Sequence, residues 1–577
     1  VAWSNFISGT NPGGHGIFDF IARDPATLKP YLSTSFTEGG SHTLRMGDWI
    51  MPLKGGKVRN LREGPTFWAD LSRAGVPCTV LRMPANFPPT ECAATSLSGL
   101  GTPDIHGSYG IFTCFTDDRK ETSRDVPGGR IEKVFIKEHA VACALRGPVN
   151  SFRSDGAEAV LPFRVFLDPA GVVARVSVQN AAFILKEGEW SDWISLAFPL
   201  VPHMAAVATI CRFYLKSARD PFALYVSPLN IDPSNPALPL STPAGYSREL
   251  AERMGPYHTQ GLPPDTSSLA AGVFNDGQYR EQASFVLREE QTMFETEFQR
   301  FSEGFFFHYF CSLDLNSHVF WRAIDPAHPA FTPELEKAHG DFLPWLYGEL
   351  DKSIGTALKR LDDQTILLVV SDHGFAPFRR QFQLNSWLMD NGYASCDAPS
   401  RRGRDAYFAD LEWSSTRAYG LGINGLYLNL RGREGNGCVA PGAEAETLKA
   451  ELIAKLTALK DPKTGQAVIT HVYRPSDIYT GPCAGKAPDL IVGYNLGYRA
   501  SWDTVLGKYP KGEPVLDNRE PWSGDHAMDS ALIPGVLLSS RRIALDNPAL
   551  SDMAPGILRT FDMPISEGMT GKPFLEL

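Results

Sequence analysis

The sequence predicts an α/β protein with a mostly parallel central sheet sandwiched by helices and interrupted by a β-rich insertion. Three observations carry this. Short, wholly apolar strands alternate with long helical patterns in the second half of the chain, as parallel strands covered on both faces do. A block of period-2 segments replaces that alternation between residues 125 and 226. Acid and histidine residues follow directly on the apolar strands, where open α/β sheets place their ligands.

Composition narrows the function classes. The chain has 577 residues, 43% hydrophobic and 21% charged, enough apolar material for one large domain with an insertion or for two domains. Its net charge of −10 excludes the basic footprint that a nucleic acid polymer requires. A small phosphorylated substrate stays open, because bound metal ions supply positive charge locally. No run approaches the roughly 18 apolar residues of a membrane span. The nine cysteines are odd in number and scattered, which gives neither a disulfide framework nor a CxxC zinc knuckle.

Along the chain, residues 1–8 are short and apolar, and 9–16 are dense in turn formers. A helix is expected at 67–74, and a buried strand at 78–83 ends at Pro84. The Gly/Pro-rich run 99–110 reads equally as a pocket rim or as a set of tight turns. Period-2 segments at 171–178, 207–215 and 222–226 define the insertion, and the proline-rich stretch 228–243 reads as its exit linker. The expected domains are therefore 1–124 with 245–577, and 125–244 as insertion and linker. Helical spacing returns at 276–301, where Leu287, Phe294, Phe298 and Phe301 share a face. An apolar strand follows at 304–314. A second long helix starts at Thr332-Pro333, a capping threonine with proline at the first helical position, and carries Leu346, Leu350, Ile354 and Leu358. The strand 365–370 then enters Ser371-Asp372-His373-Gly374.

Two clusters of ligand types stand at strand ends. Asp314 and His318, four apart on a turn leaving the first strand, can face one metal ion. Asp372 and His373 can both face a rim if the chain turns tightly at Gly374. His526, in Ser523-Gly524-Asp525-His526, is a third candidate. Mixed His/carboxylate ligation suits Zn or Mn, and two such ions clamp a phosphoryl group in transfer. The plainer readings are that Asp-x-x-x-His pairs recur by chance and that a lone His526 caps a turn. His15 serves its own turn.

At these residues the sequence resembles the type I phosphodiesterase/nucleotide pyrophosphatase family of the alkaline phosphatase-like superfamily. The matching segments come in family order: VAWSNFISGTNPGGHGIFDF at 1–20, YFCSLDLNSHVFW at 309–321, SDHGF with the following LNSWLMDNGY within 370–393, WSGDH at 522–526, and DMAPGIL through MTGK at 552–572. The resemblance implies an alkaline phosphatase-like fold. It implies that Asp314, His318 and His526 hold one divalent ion, and Asp372 and His373 hold a second with an aspartate of the first strand. It also implies hydrolysis of a phosphodiester or nucleotide pyrophosphate through a Ser/Thr phospho-enzyme.

Counting back along the family pattern places the nucleophile just upstream of Val1; Ser4 and Ser8 fall in the helix that follows it. Nucleotide pyrophosphatases of the family carry an asparagine a few residues after "HG" that contacts the phosphoryl oxygen, and this chain has Asp19-Phe20 there. The alternatives are a phosphomonoesterase, sulfatase or phosphomutase of the same superfamily, or a non-catalytic envelope or glycan-binding protein. Exported relatives point to a periplasmic or extracytoplasmic location, and the unpaired cysteines point the other way.

Overall fold

The computed structural model describes residues 1–576 apart from 55, 170, 397–401, 404, 405 and 410. The chain is mixed α/β and divides into two compact units: Val1–Phe36, Leu61–Leu71 and Asn316–Leu577 form one, and Thr37–Asn60 and Ser72–Leu315 the other. No helix among the described residues is long and apolar enough to cross a membrane.

The second unit contains the period-2 segments. One of its two five-stranded sheets among the described residues runs antiparallel in the order Ile136–Lys137, Ala140–Val149, Glu158–Leu167, Val173–Val178, Ala181–Lys186. Alternation is strict: Val141, Cys143 and Leu145 are buried, while Ala142, Ala144 and Arg146 between them are exposed. This is what a sheet solvated on one face demands. The buried set packs with Phe213, Leu215, Leu224 and Val226 into one core, in which the Phe163 ring lies edge-on to Phe115 at 5.1 Å and to Phe213 at 5.8 Å.

A four-stranded sheet in the same unit has the order Ser241–Thr242, Thr95–Ser98, Cys78–Met83, Phe305–His308. Cys78–Met83 pairs parallel with both of its neighbours. In the proline-rich stretch 228–243, Asn230 and Ser241 are buried and both hydrogen-bonded, while Ser234, Asn235, Ala237 and Pro239 are exposed. One expectation changes here. The 304–314 strand stops at His308, and a helix, Ser312–Phe320, starts four residues later. The buried Glu290 carboxylate decides this start. It accepts from the Cys311 and Ser312 backbone N–H groups at 3.2 and 3.4 Å, and from their Sγ and Oγ at 2.8 and 2.7 Å. An acid there satisfies orphan donors and the positive helix end together.

In the first unit, Thr332 caps a helix as expected, its Oγ accepting from Leu335 N, but that helix ends at His339 and a second one, Phe342–Leu358, replaces its continuation. Asp341 supplies the new start, its carbonyl accepting from Trp345 N. The strand Ala376–Phe382 organises this unit. It pairs parallel with Gly497–Ala500 and antiparallel with Val515–Asp517 and Gly524–Asp525. A second sheet, Ala418–Leu421, Gly425–Leu428, Leu490–Tyr494 and Ile469–Tyr473, shares a core with the helices Leu384–Asp390 and Ala443–Thr457.

Truncating Phe163→Ala in the sandwich core is expected to cost about 3–5 kcal/mol, read as an earlier urea transition of the second unit by tryptophan fluorescence.

Candidate metal centre

The site is assembled by one short strand pairing. Ala376 faces Asp525 and Pro377 faces Gly524, so the turn 371–374, just before one strand, lies beside His526, just after the other. The turn is itself pinned: Ser371 N donates to Val536 O, Gly374 N to Ile533 O, and Val536 N to Ser371 Oγ. A Cβ on Gly374 would stand 2.5 Å from Pro534 O. Glycine is therefore required for close backbone approach rather than for a positive φ.

The helix Ser312–Phe320 carries Asp314 in its first turn and His318 in its last. Asp314 thus sits on a helix rather than on a turn leaving a strand, and the i, i+4 spacing puts it on the same face as His318. The helix is one continuous element, although the division between the compact units falls after Leu315. Its end is clamped by Ser523, whose N–H donates to His318 O at 2.6 Å and whose Oγ bonds the Val319 carbonyl at 2.9 Å. Gly524 allows this approach, since a Cβ there would lie 2.6 Å from Ser317 O.

The ligand atoms of Asp314, His318 and His526 lie within 4.8 Å of one another. His318 Nδ1 donates to Gly524 O at 2.7 Å, which fixes the tautomer and turns the Nε2 lone pair outward, the arrangement of metal-bound imidazoles. Its ring stacks on Trp522 at 3.7 Å and meets Phe375 edge-on. His373 bonds Gly374 O through Nδ1 at 3.0 Å, and its Nε2 lies 3.2 Å from Asp372 Oδ2. The His373 and His526 rings stack at 3.5 Å. The candidate residues thus fall into a close trio and an adjacent pair joined by this stack.

Burial holds His318 down to about 4, with Asp525 and the Gly524 carbonyl opposing the shift. Burial and then neighbouring His373 hold His526 well below its usual value. Both imidazoles are therefore neutral at pH 7, the state a metal ligand requires. The donor set of imidazole nitrogens and carboxylate oxygens fits a divalent ion such as Zn or Mn.

Two residues not singled out from the sequence hold this arrangement. Asp525 accepts from His526 N and Ala527 N through Oδ1, at 2.8 and 2.9 Å, and from Trp522 Nε1 through Oδ2. Arg499, 1% exposed, places Nε 3.0 Å from the same carboxylate, with its guanidinium over Trp502 at 4.1 Å. The position of Asp525 beside His526 was the one available signal; nothing local marks Arg499. His15 is held by its own turn, with Nε2 on Asn5 Oδ1 at 2.7 Å and Nδ1 accepting from Ile17 N. The run 99–110 contains tight turns gathered round Asp104, whose carboxylate accepts from His106, Ser108 and Ile111 N–H groups.

Residues 245–511 match the family model of type I phosphodiesterase / nucleotide pyrophosphatase. The resemblance is shown over that stretch, which contains Asp314, His318, Asp372 and His373 and ends before His526. Among solved structures, wild-type alkaline phosphatase PafA is similar at 11% identity, covering 99% of this chain and 88% of its own, with a TM-score of 0.37. A quadruple mutant of the same phosphatase gives 11% identity, 100% and 89% coverage, and a TM-score of 0.35. Comparison with curated proteins gives no match.

Two outcomes follow. Arg499→Met leaves the buried Asp525 charge uncompensated, so it is expected to weaken zinc affinity about 10–100-fold and to destabilise the metal-free chain by about 3–5 kcal/mol, checked by chelator competition and thermal melting. The folded pKa of His318, about 4, lies below the roughly 6.5 of an unfolded chain. Between those values the unfolded state binds more protons, so its contribution to stability is full above pH 6.5 and is lost as pH falls toward 4. Melting of metal-free protein across that range, compared with His318→Gln, reads the contribution directly.

Proposed function

We propose that this chain is the catalytic part of a two-metal phosphoesterase that hydrolyses phosphodiester or nucleotide pyrophosphate bonds through a Ser/Thr phospho-enzyme. The grouping of Asp314, His318 and His526 carries the reading, and the family match over 245–511 supports it. Asp314, His318 and His526 are assigned to one divalent ion and Asp372 with His373 to the other, zinc first and manganese second. Bound there, such ions offer Lewis-acid charge to the phosphoryl oxygens and lower the pKa of an attacking hydroxyl or water.

The chain's own residues prepare the site. Neutral imidazoles at His318 and His526 offer lone pairs without a proton to displace. Asp372, 3.2 Å from His373 Nε2, adds the negative charge that retains a cation. Asp525 and Arg499 keep the His526 turn in place from below. The scaffold proposed is a mostly parallel central sheet between helices, built from 1–124 and 245–577, with 125–244 as an insertion. The substrate is a small phosphorylated molecule, since a net charge of −10 repels a polyanion away from the metals.

The test is zinc-loaded hydrolysis of bis-p-nitrophenyl phosphate and p-nitrophenyl phosphate. The protein is expected to bind zinc and to prefer the diester, and His526→Ala to lower its kcat/KM more than about 100-fold. A preference for the monoester would move the assignment to a phosphomonoesterase. Absence of both metal binding and hydrolysis would remove the reading.

A further inference from the structure

The Asp19 carboxylate is occupied by backbone. Oδ1 accepts from Phe20 N at 2.7 Å. Oδ2 accepts from Ile423 N at 2.7 Å and from Asn424 N at 3.3 Å. The cradle is built for it: Gly422 has φ +75°, and a Cβ there would stand 2.6 Å from the Asp19 carboxyl carbon. Glycine is thus required at 422 both for the left-handed backbone and for the space the carboxylate fills.

The loop that Asp19 grips reaches the candidate metal centre. Asn424 Nδ2 donates to Val492 O at 2.7 Å and to Ala527 O at 3.2 Å, and Val492 N returns a bond to Asn424 O at 2.9 Å. Ala527 follows His526 directly. Its N–H is held by Asp525 Oδ1 at 2.9 Å, and its C=O is held by Asn424. Both polar ends of the residue after the histidine are therefore fixed, one by a carboxylate beside it and the other from a loop about a hundred positions away in sequence.

We infer that Asp19 is a positioning residue for His526, acting through the 422–424 loop and Asn424 rather than touching substrate. The inference rests on the metal-centre reading above. Replacing Asp19 with alanine removes the oxygen that Ile423 N and Asn424 N share, so both loop bonds are lost. The loop then releases Ala527 O, and the His526 ring loses its preset angle. Ligand groups held loosely cost affinity because the ordering must be supplied on binding.

The experiment is zinc affinity by competition with a chromophoric chelator on Asp19→Ala, Asn424→Ala and the double variant, each with a melting curve of the metal-free form. The expected result is about tenfold weaker zinc binding in each single variant and no further loss in the double, since both break one relay. If either single variant does not fold, the other carries the test alone. Parent-like zinc affinity in a folded single variant, or additive losses in the double, overturns the relay while leaving the metal centre intact. An unsubstituted chain that binds no zinc overturns the metal-centre reading and the inference together.

Discussion

Everything at the candidate site hangs on the pairing of Ala376–Pro377 with Gly524–Asp525. Two backbone positions on each side join segments about 150 residues apart, and the pairing decides that the Asp372-His373 turn and His526 meet. Around it, glycine at 374 and at 524 removes the side chain that would hold the neighbouring backbone away. The histidine-bearing helix is then drawn in by Ser523 and Gly524. A shift of this register by one residue would turn the strand's side chains to the opposite face.

The electrostatic design follows from that enclosure. Three imidazoles lie close together, with ring centroids 3.5 Å apart for His373 and His526 and 5.1 Å for His318 and His526. Burial, joined at His526 by the neighbouring His373, disfavours protonation of His318 and His526, so these two offer lone pairs rather than protons. Asp525 does not neutralise it by joining the ligand set; its charge is matched by Arg499 in a buried pair. The carboxylate is thereby kept for the backbone of the His526 turn.

The candidate residues stand out in the sequence because they follow apolar runs: Asp314 and His318 after Phe-Phe-Phe-His-Tyr-Phe, and Asp372-His373 after Leu-Leu-Val-Val. The same logic misjudged where the first strand ends. An apolar run has no internal punctuation, and the carboxylate of Glu290, on a different helix, decides that a helix begins at Ser312. The period-2 segments were readable because one face meets solvent, whereas 228–243 reads like a linker by its prolines although Asn230 and Ser241 in it are buried. Arg499 and Asn424 left no pattern, and Asp525 only its place beside His526. Their roles arise from what they reach in the folded chain, which is distant in sequence for Arg499, on the Asp525 carboxylate, and for Asn424, on the Val492 and Ala527 carbonyls.

The most direct measurement of the central claim is X-ray absorption at the zinc edge of the metal-loaded chain. The account predicts a first shell of nitrogen and oxygen at about 2.0–2.2 Å with imidazole outer-shell scattering, diminished in the double variant His318→Ala/His526→Ala. A shell containing sulfur at about 2.3 Å, or a spectrum unchanged by that double variant, would place the metal elsewhere and contradict the account.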